Sequence, residues 1–112
     1  MDERTTVQVA QKKVIFISGP MEEVDRYWEE FEKAEDEISA AGYIPLSPSR
    51  LPSGLNREQI ANIRMGMLQV ADAALILTNF FKGGYTAYET SYCDYVEKPY
   101  AWSLEILKEA LK

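Results

Sequence analysis

The chain alternates short β-branched apolar runs with longer stretches whose apolar residues recur every three or four positions. Lys13-Val14-Ile15-Phe16-Ile17-Ser18 is the first run, continuously apolar as in a strand covered on both faces. It stops at Gly19-Pro20, a turn dipeptide. From Glu22 the spacing becomes helical: Val24, Tyr27, Trp28, Phe31, Ala34 and Ile38 share one face, with Glu and Lys opposite. The Tyr27-Trp28-Phe31 cluster falls in that stripe and is read as core. Gly42 is a natural stop for the helix.

Tyr43-Ile44-Pro45-Leu46-Ser47 reads as a short second strand, and Pro45, lacking an N–H, places it at a sheet edge. Pro48 to Gly54, rich in Pro and Ser, is a loop. Asn56, with Gln59 three residues on, has the form of a capping box. The helix it opens carries Ile60, Ile63, Met67 and Leu68 as its buried stripe. Ala73 to Leu77 is the third strand. The segment Asn79 to Thr86 makes a glycine turn, followed by a helix with Glu89 in its first turn and its end near Val96. Pro99-Tyr100-Ala101-Trp102 reads as a fourth strand. Ser103 then N-caps a last helix bearing Leu104, Leu107 and Leu111. Residues 1–11 are polar and aperiodic, a flexible tail, which leaves residues 12–112 as the domain.

Strands alternating with helices predict a single-domain α/β fold of Rossmann-like or flavodoxin-like type. Its parallel sheet would have roughly four to five strands, with helices on both faces. Such sheets bind ligands at the carboxyl ends of their strands. Ser18-Gly19-Pro20-Met21 and the Lys82 to Glu89 stretch both fall at that edge.

Composition narrows the chemistry. A hydrophobic content of 46% with 27% charged residues is that of a soluble globular domain. The net charge of −6 argues against a nucleic-acid polymer or an anionic membrane as partner, but leaves room for a single nucleotide. No apolar stretch is long enough to span a bilayer and no signal peptide is visible, so the expected location is cytoplasmic. The lone cysteine, Cys93, excludes an intrachain disulfide and reads as a small core side chain. The absence of histidine excludes histidine triads and histidine metal sites. Any catalysis here falls to carboxylates, hydroxyls, backbone amides, Lys or Arg, with no metal and no cofactor expected.

Glu89 is the leading candidate. A carboxylate in a first helical turn can simply complement the helix dipole. At the mouth of a parallel sheet it can also be a nucleophile or a ribose ligand. Asp72 is the second candidate catalytic carboxylate, with backbone capping as its alternative. Lys82 and Arg64 are the cations expected nearest a phosphate. Tyr88, Tyr92 and Tyr95 share a helical face that Tyr85 extends, fitting a subunit interface or a base-stacking surface.

Three segments carry a family resemblance: Ile15-Phe16-Ile17-Ser18-Gly19-Pro20-Met21, then Ala41-Gly42-Tyr43-Ile44-Pro45-Leu46-Ser47-Pro48. The third is Met67 to Leu77, followed by Glu89 and Glu97-Lys98-Pro99. In order and spacing they resemble the nucleoside 2-deoxyribosyltransferase-like superfamily, and more closely its small DUF4406 branch. The resemblance implies hydrolysis or transfer at the N-glycosidic bond of a nucleoside or nucleotide. Glu89 would attack C1′, and Gly19, Pro20 and Met21, beside Ser18, would wall the sugar and base site. Asn79, Lys82, Gly83, Gly84, Tyr85 and Thr86 would hold a 5′-hydroxyl or 5′-phosphate through N–H groups, the Thr86 hydroxyl and the helix N-terminus. It further implies a homodimer or higher homo-oligomer. Gly83-Gly84, Thr86 and Glu89 are also similar to the glycine-rich loop of the cytokinin-activating phosphoribohydrolases. The chain departs from active relatives in having Phe16 for a Tyr, Arg64 for an Asp and Tyr85 for a Gly. Those departures give a second expectation, a nucleotide-binding protein that uses the same pocket without chemistry.

Overall fold

The computed structural model describes residues 11–21, 26–77 and 84–112. Its elements are β1 (Val14–Ser18), α1 (Tyr27–Ala40), β2 (Ile44–Leu46), α2 (Arg57–Val70), β3 (Ala73–Ile76), α3 (Gly84–Val96), β4 (Tyr100–Ala101) and α4 (Leu104–Ala110). A single 3-10 turn at Pro48–Arg50 interrupts the loop after β2. The described strands form one all-parallel sheet in the order β2-β1-β3-β4. The α/β fold of Rossmann-like, flavodoxin-like type therefore holds, with four strands among the described residues.

Side-chain alternation along the strands divides the interior. Ile15 and Ile17 of β1 and Ala73 and Leu75 of β3 pack with Phe31, Ala34 and Ile38 of α1 and Leu107 of α4. Phe16, Ala74 and Ile76 point the other way, onto Leu68 of α2 and Cys93 of α3. Each large side chain so buried contributes roughly 1.5–3 kcal/mol. The two helix layers follow from right-handed crossovers. The chain steps from β1 to β2 in one direction and from β2 across to β3 in the other, so α1 and α2 must lie on opposite faces. Between β1 and β3 the direction reverses, and a crevice opens at their carboxyl ends.

Local signals hold at several ends. Asn56 accepts from the Gln59 backbone N–H at 2.7 Å while the Gln59 side chain accepts from the Asn56 N–H at 2.9 Å, a complete capping box. Ser103 caps α4. Pro45 lies on the edge strand, as its missing donor requires.

Three expectations are corrected. Trp28 is 43% exposed, because α1 turns Phe31, Ala34 and Ile38 inward and leaves Trp28 on its flank against Tyr27. Val24 lies outside the described residues. In α2, Ile63 is 38% exposed, and Arg64, completely buried, takes its place in the stripe. Glu89 is in the second turn of α3, since the helix already begins at Gly84.

Candidate functional site

Ser18 ends β1 on the same side as Phe16, so its hydroxyl enters the α2/α3 layer at the carboxyl edge of the sheet. There it meets Arg64 from α2 and Glu89 from α3, both buried. Arg64 grips the carboxylate with two parallel bonds, Nε to Oε2 at 2.7 Å and Nη2 to Oε1 at 2.8 Å. Such a fork is the strongest geometry available to an ion pair. Ser18 Oγ donates to Oε1 at 2.6 Å. The Ser18 and Thr86 hydroxyls are 3.1 Å apart. With the single Ser18 proton committed to Glu89, Thr86 is the donor across that contact. The Arg64 guanidinium lies between two rings, 4.7 Å from the Tyr85 centroid and 5.9 Å from that of Phe16.

The rest of Arg64 faces the turn after β1. Nη2 also donates to the Gly19 carbonyl at 3.2 Å, and Nη1 contacts Met21 Sδ at 3.2 Å. Gly19 lies close against Leu77: a Cβ there would be 3.1 Å from Leu77 Cβ, tight enough that the Leu77 side chain would have to shift. The backbone closes the same junction, with the Leu77 N–H donating to the Ser18 carbonyl at 2.8 Å. On its other flank Glu89 helps line a cleft of about 320 Å³ between α2 and α3, with Ala61, Asn62, Met65, Tyr85 and Tyr88. That volume is at the lower end of ligand pockets.

The structure thus gathers Ser18, Gly19, Met21, Tyr85, Thr86 and Glu89 at one edge, with Pro20 half-buried in the same turn. Gly84 opens α3 with φ +75°, a backbone conformation that favours glycine. Asn79, Lys82 and Gly83 lie outside the described residues. The Thr86 hydroxyl is engaged by Ser18. Arg64, expected near a phosphate, is bound to Glu89 instead. A charge four residues from Ile60 and four from Leu68, inside an apolar stripe, was the signal that could have placed it there.

Asp72 is not brought to Glu89. It immediately precedes β3 at the amino edge, exposed, and its Oδ2 accepts from the Val14 N–H at 2.7 Å. The length of β1, roughly 13 Å at about 3.3 Å per residue, separates that edge from Ser18. Asp72 clamps backbone, the second of its two expected roles. The chain matches DUF4406, a domain of unknown function, over residues 13–101.

The chain belongs to the DUF4406 family.

No curated protein matches it at a significant level. In this DUF4406 domain two further groups, Cys93 and Tyr100, are shifted by their surroundings. Cys93 is buried in the α2/α3 layer, and burial pushes its thiol up to about 11. Tyr100 is raised by its hydroxyl's bond to Asp94. Among the described residues no cluster of Cys, Asp and Glu is gathered as a metal ion would need, and no helix is long and apolar enough to cross a membrane. The tyrosine stripe divides: Tyr85 is buried over Arg64, while Tyr88 is 74% and Tyr95 87% exposed.

Proposed function

We propose that this DUF4406 domain breaks or exchanges the N-glycosidic bond of a nucleoside or nucleotide, with Glu89 as the nucleophile. The supporting observation is a buried carboxylate at the carboxyl edge of β1 and β3, at the reversal of strand order, bordering a cleft of ligand size. The resemblance of Ser18-Gly19-Pro20-Met21 and Glu89 to nucleoside 2-deoxyribosyltransferases supports the same reaction.

Among the described residues, Oε1 accepts from both Arg64 Nη2 and Ser18 Oγ, whereas Oε2 accepts from Arg64 Nε alone. Oε2 therefore keeps the lone pair available for attack. Its bond to C1′ forms as the C1′–N bond breaks, and the electron pair leaves with the base, which takes a proton from solvent. Water, or the N–H of a second base, then attacks C1′ and releases its proton to solvent, and the carboxylate departs with the electrons of its bond to C1′. The oxocarbenium-like transition state gains from the adjacent anion.

A second reading is favoured by one feature. Arg64 occupies both oxygens of Glu89 at the position where active relatives carry an acid, and a forked carboxylate is a weakened nucleophile. On that reading the pocket binds a nucleotide and performs no chemistry. Incubation with nucleosides, 5′-monophosphates and dinucleotides, followed by chromatography of free base, decides between them. Base release that falls by about three orders of magnitude or more in Glu89→Ala is the result expected of the enzyme. A raised melting temperature without turnover selects the binding protein. If no compound raises it at millimolar concentration, both readings fail. We place the partner as a small nucleoside or nucleotide, and Tyr88 and Tyr95 as the surface for a second copy of the chain.

A further inference from the structure

Arg64 has five N–H donors and is fully buried, so each of them requires an acceptor. Nε and one Nη2 proton serve the Glu89 carboxylate, and the other Nη2 proton serves the Gly19 carbonyl. Nη1 differs. Its two protons have one acceptor among the described residues, the thioether of Met21 at 3.2 Å. A thioether is a weak acceptor, and methionine has a flexible chain that repacks at low cost. A desolvated cationic donor is therefore covered by the softest polar atom in the network. Met21 is also half-buried and lies in the turn leaving β1, at the edge where ligands enter such sheets.

We infer that Met21 is a displaceable plug on Arg64, and that a hydroxyl oxygen of the bound ligand replaces its sulfur at Nη1. The side-on fork with Glu89 uses Nε and Nη2, so Nη1 lies on the edge turned away from the carboxylate. A ligand can take that edge without breaking the ion pair. The charge of Arg64 is already balanced by Glu89, so the open position calls for a neutral dipole. A second anion in this buried site would be repelled by the carboxylate. A sugar hydroxyl is of the required class. The inference rests on the nucleoside reading for the identity of the ligand, and assigns Met21 and Arg64 the task of recognising its sugar.

Methionine methyl groups make the test direct. The full chain, labelled with 13C at the methionine methyls, is titrated with adenosine, 2′-deoxyadenosine, cytidine and 2′-deoxycytidine. Met65 lines the cleft and reports its occupation. Met21 reports displacement from Arg64, and Met67, half-buried against the core, serves as control. The spectra are assigned with Met21→Leu, Met65→Leu and Met67→Leu. Met21 and Met65 moving together, with one midpoint, is the expected result. Movement of Met65 with Met21 stationary overturns the inference and leaves the nucleoside reading standing. Silence of both with all four compounds and with their 5′-monophosphates removes that reading and the inference with it. As a second arm, Met21→Gln supplies a strong competing acceptor and raises the Kd of the bound nucleoside roughly tenfold. Met21→Leu, which removes the competing sulfur, lowers it, and an unchanged Kd in Met21→Gln overturns the proposal.

Discussion

The two edges of the sheet use charge in different ways. At the amino edge, charged side chains serve the backbone. Asp72 accepts from the Val14 N–H, and Lys98 donates to the carbonyls of Leu68, Gln69 and Ala71, closing the end of α2. At the carboxyl edge, charged and polar side chains mainly serve each other, as Arg64, Glu89, Ser18 and Thr86 do. A group tied to backbone is fixed by the fold and has little left for a ligand. A group tied to another side chain can exchange its partner.

Breaking the ion pair tests the carboxyl edge most severely. Arg64→Met leaves Glu89 buried and uncompensated, and should cost about 3–5 kcal/mol in urea unfolding. Adding Glu89→Leu should restore most of that loss, because the pair is then replaced by apolar groups rather than halved. Lys98→Met removes a cation from three carbonyls and should cost about 1–3 kcal/mol. If the comparison holds, nucleoside affinity in that variant is unchanged once the protein is folded. Asp72→Ala should lose about 1 kcal/mol and leave base release at the wild-type rate. A large loss of turnover with normal stability would instead return Asp72 to the chemistry. The smallest effect is at Glu97, which sits at φ +62° just before Lys98. Glu97→Gly relieves that left-handed conformation and should raise stability by up to about 1 kcal/mol in thermal unfolding.

The scaffold was readable wherever a local rule decides it. The β-branched run before Gly19-Pro20, the Asn56 and Gln59 pair and Pro45 at the edge each follow from chemistry within a few residues. The turn containing Ser18 and the helix containing Glu89 could be assigned to one sheet edge because the parallel topology leaves no other arrangement. The burial of Arg64 was signalled by its place in an apolar stripe, but its pairing with Glu89 was not readable. Its partner is 25 residues away, and charge ordinarily places a residue on the solvent face of a helix. Trp28 failed for a related reason: periodicity marks a stripe, but the width of that stripe is set by what packs against it. Asp72 had two chemically sensible roles, and only its place at the amino edge chose between them.

Gly19 has a mechanical consequence. With no Cβ, the chain leaving β1 lies against Leu77, where the chain leaves β3, and the Leu77 amide is fastened to Ser18 beside it. Ser18-Gly19 and Leu77 thus share one seam at the two strand exits. At the mouth of the sheet, the space between these two residues is set by a single absent methyl group. Gly19→Ala would act as a wedge, and its effect would be felt at both exits at once.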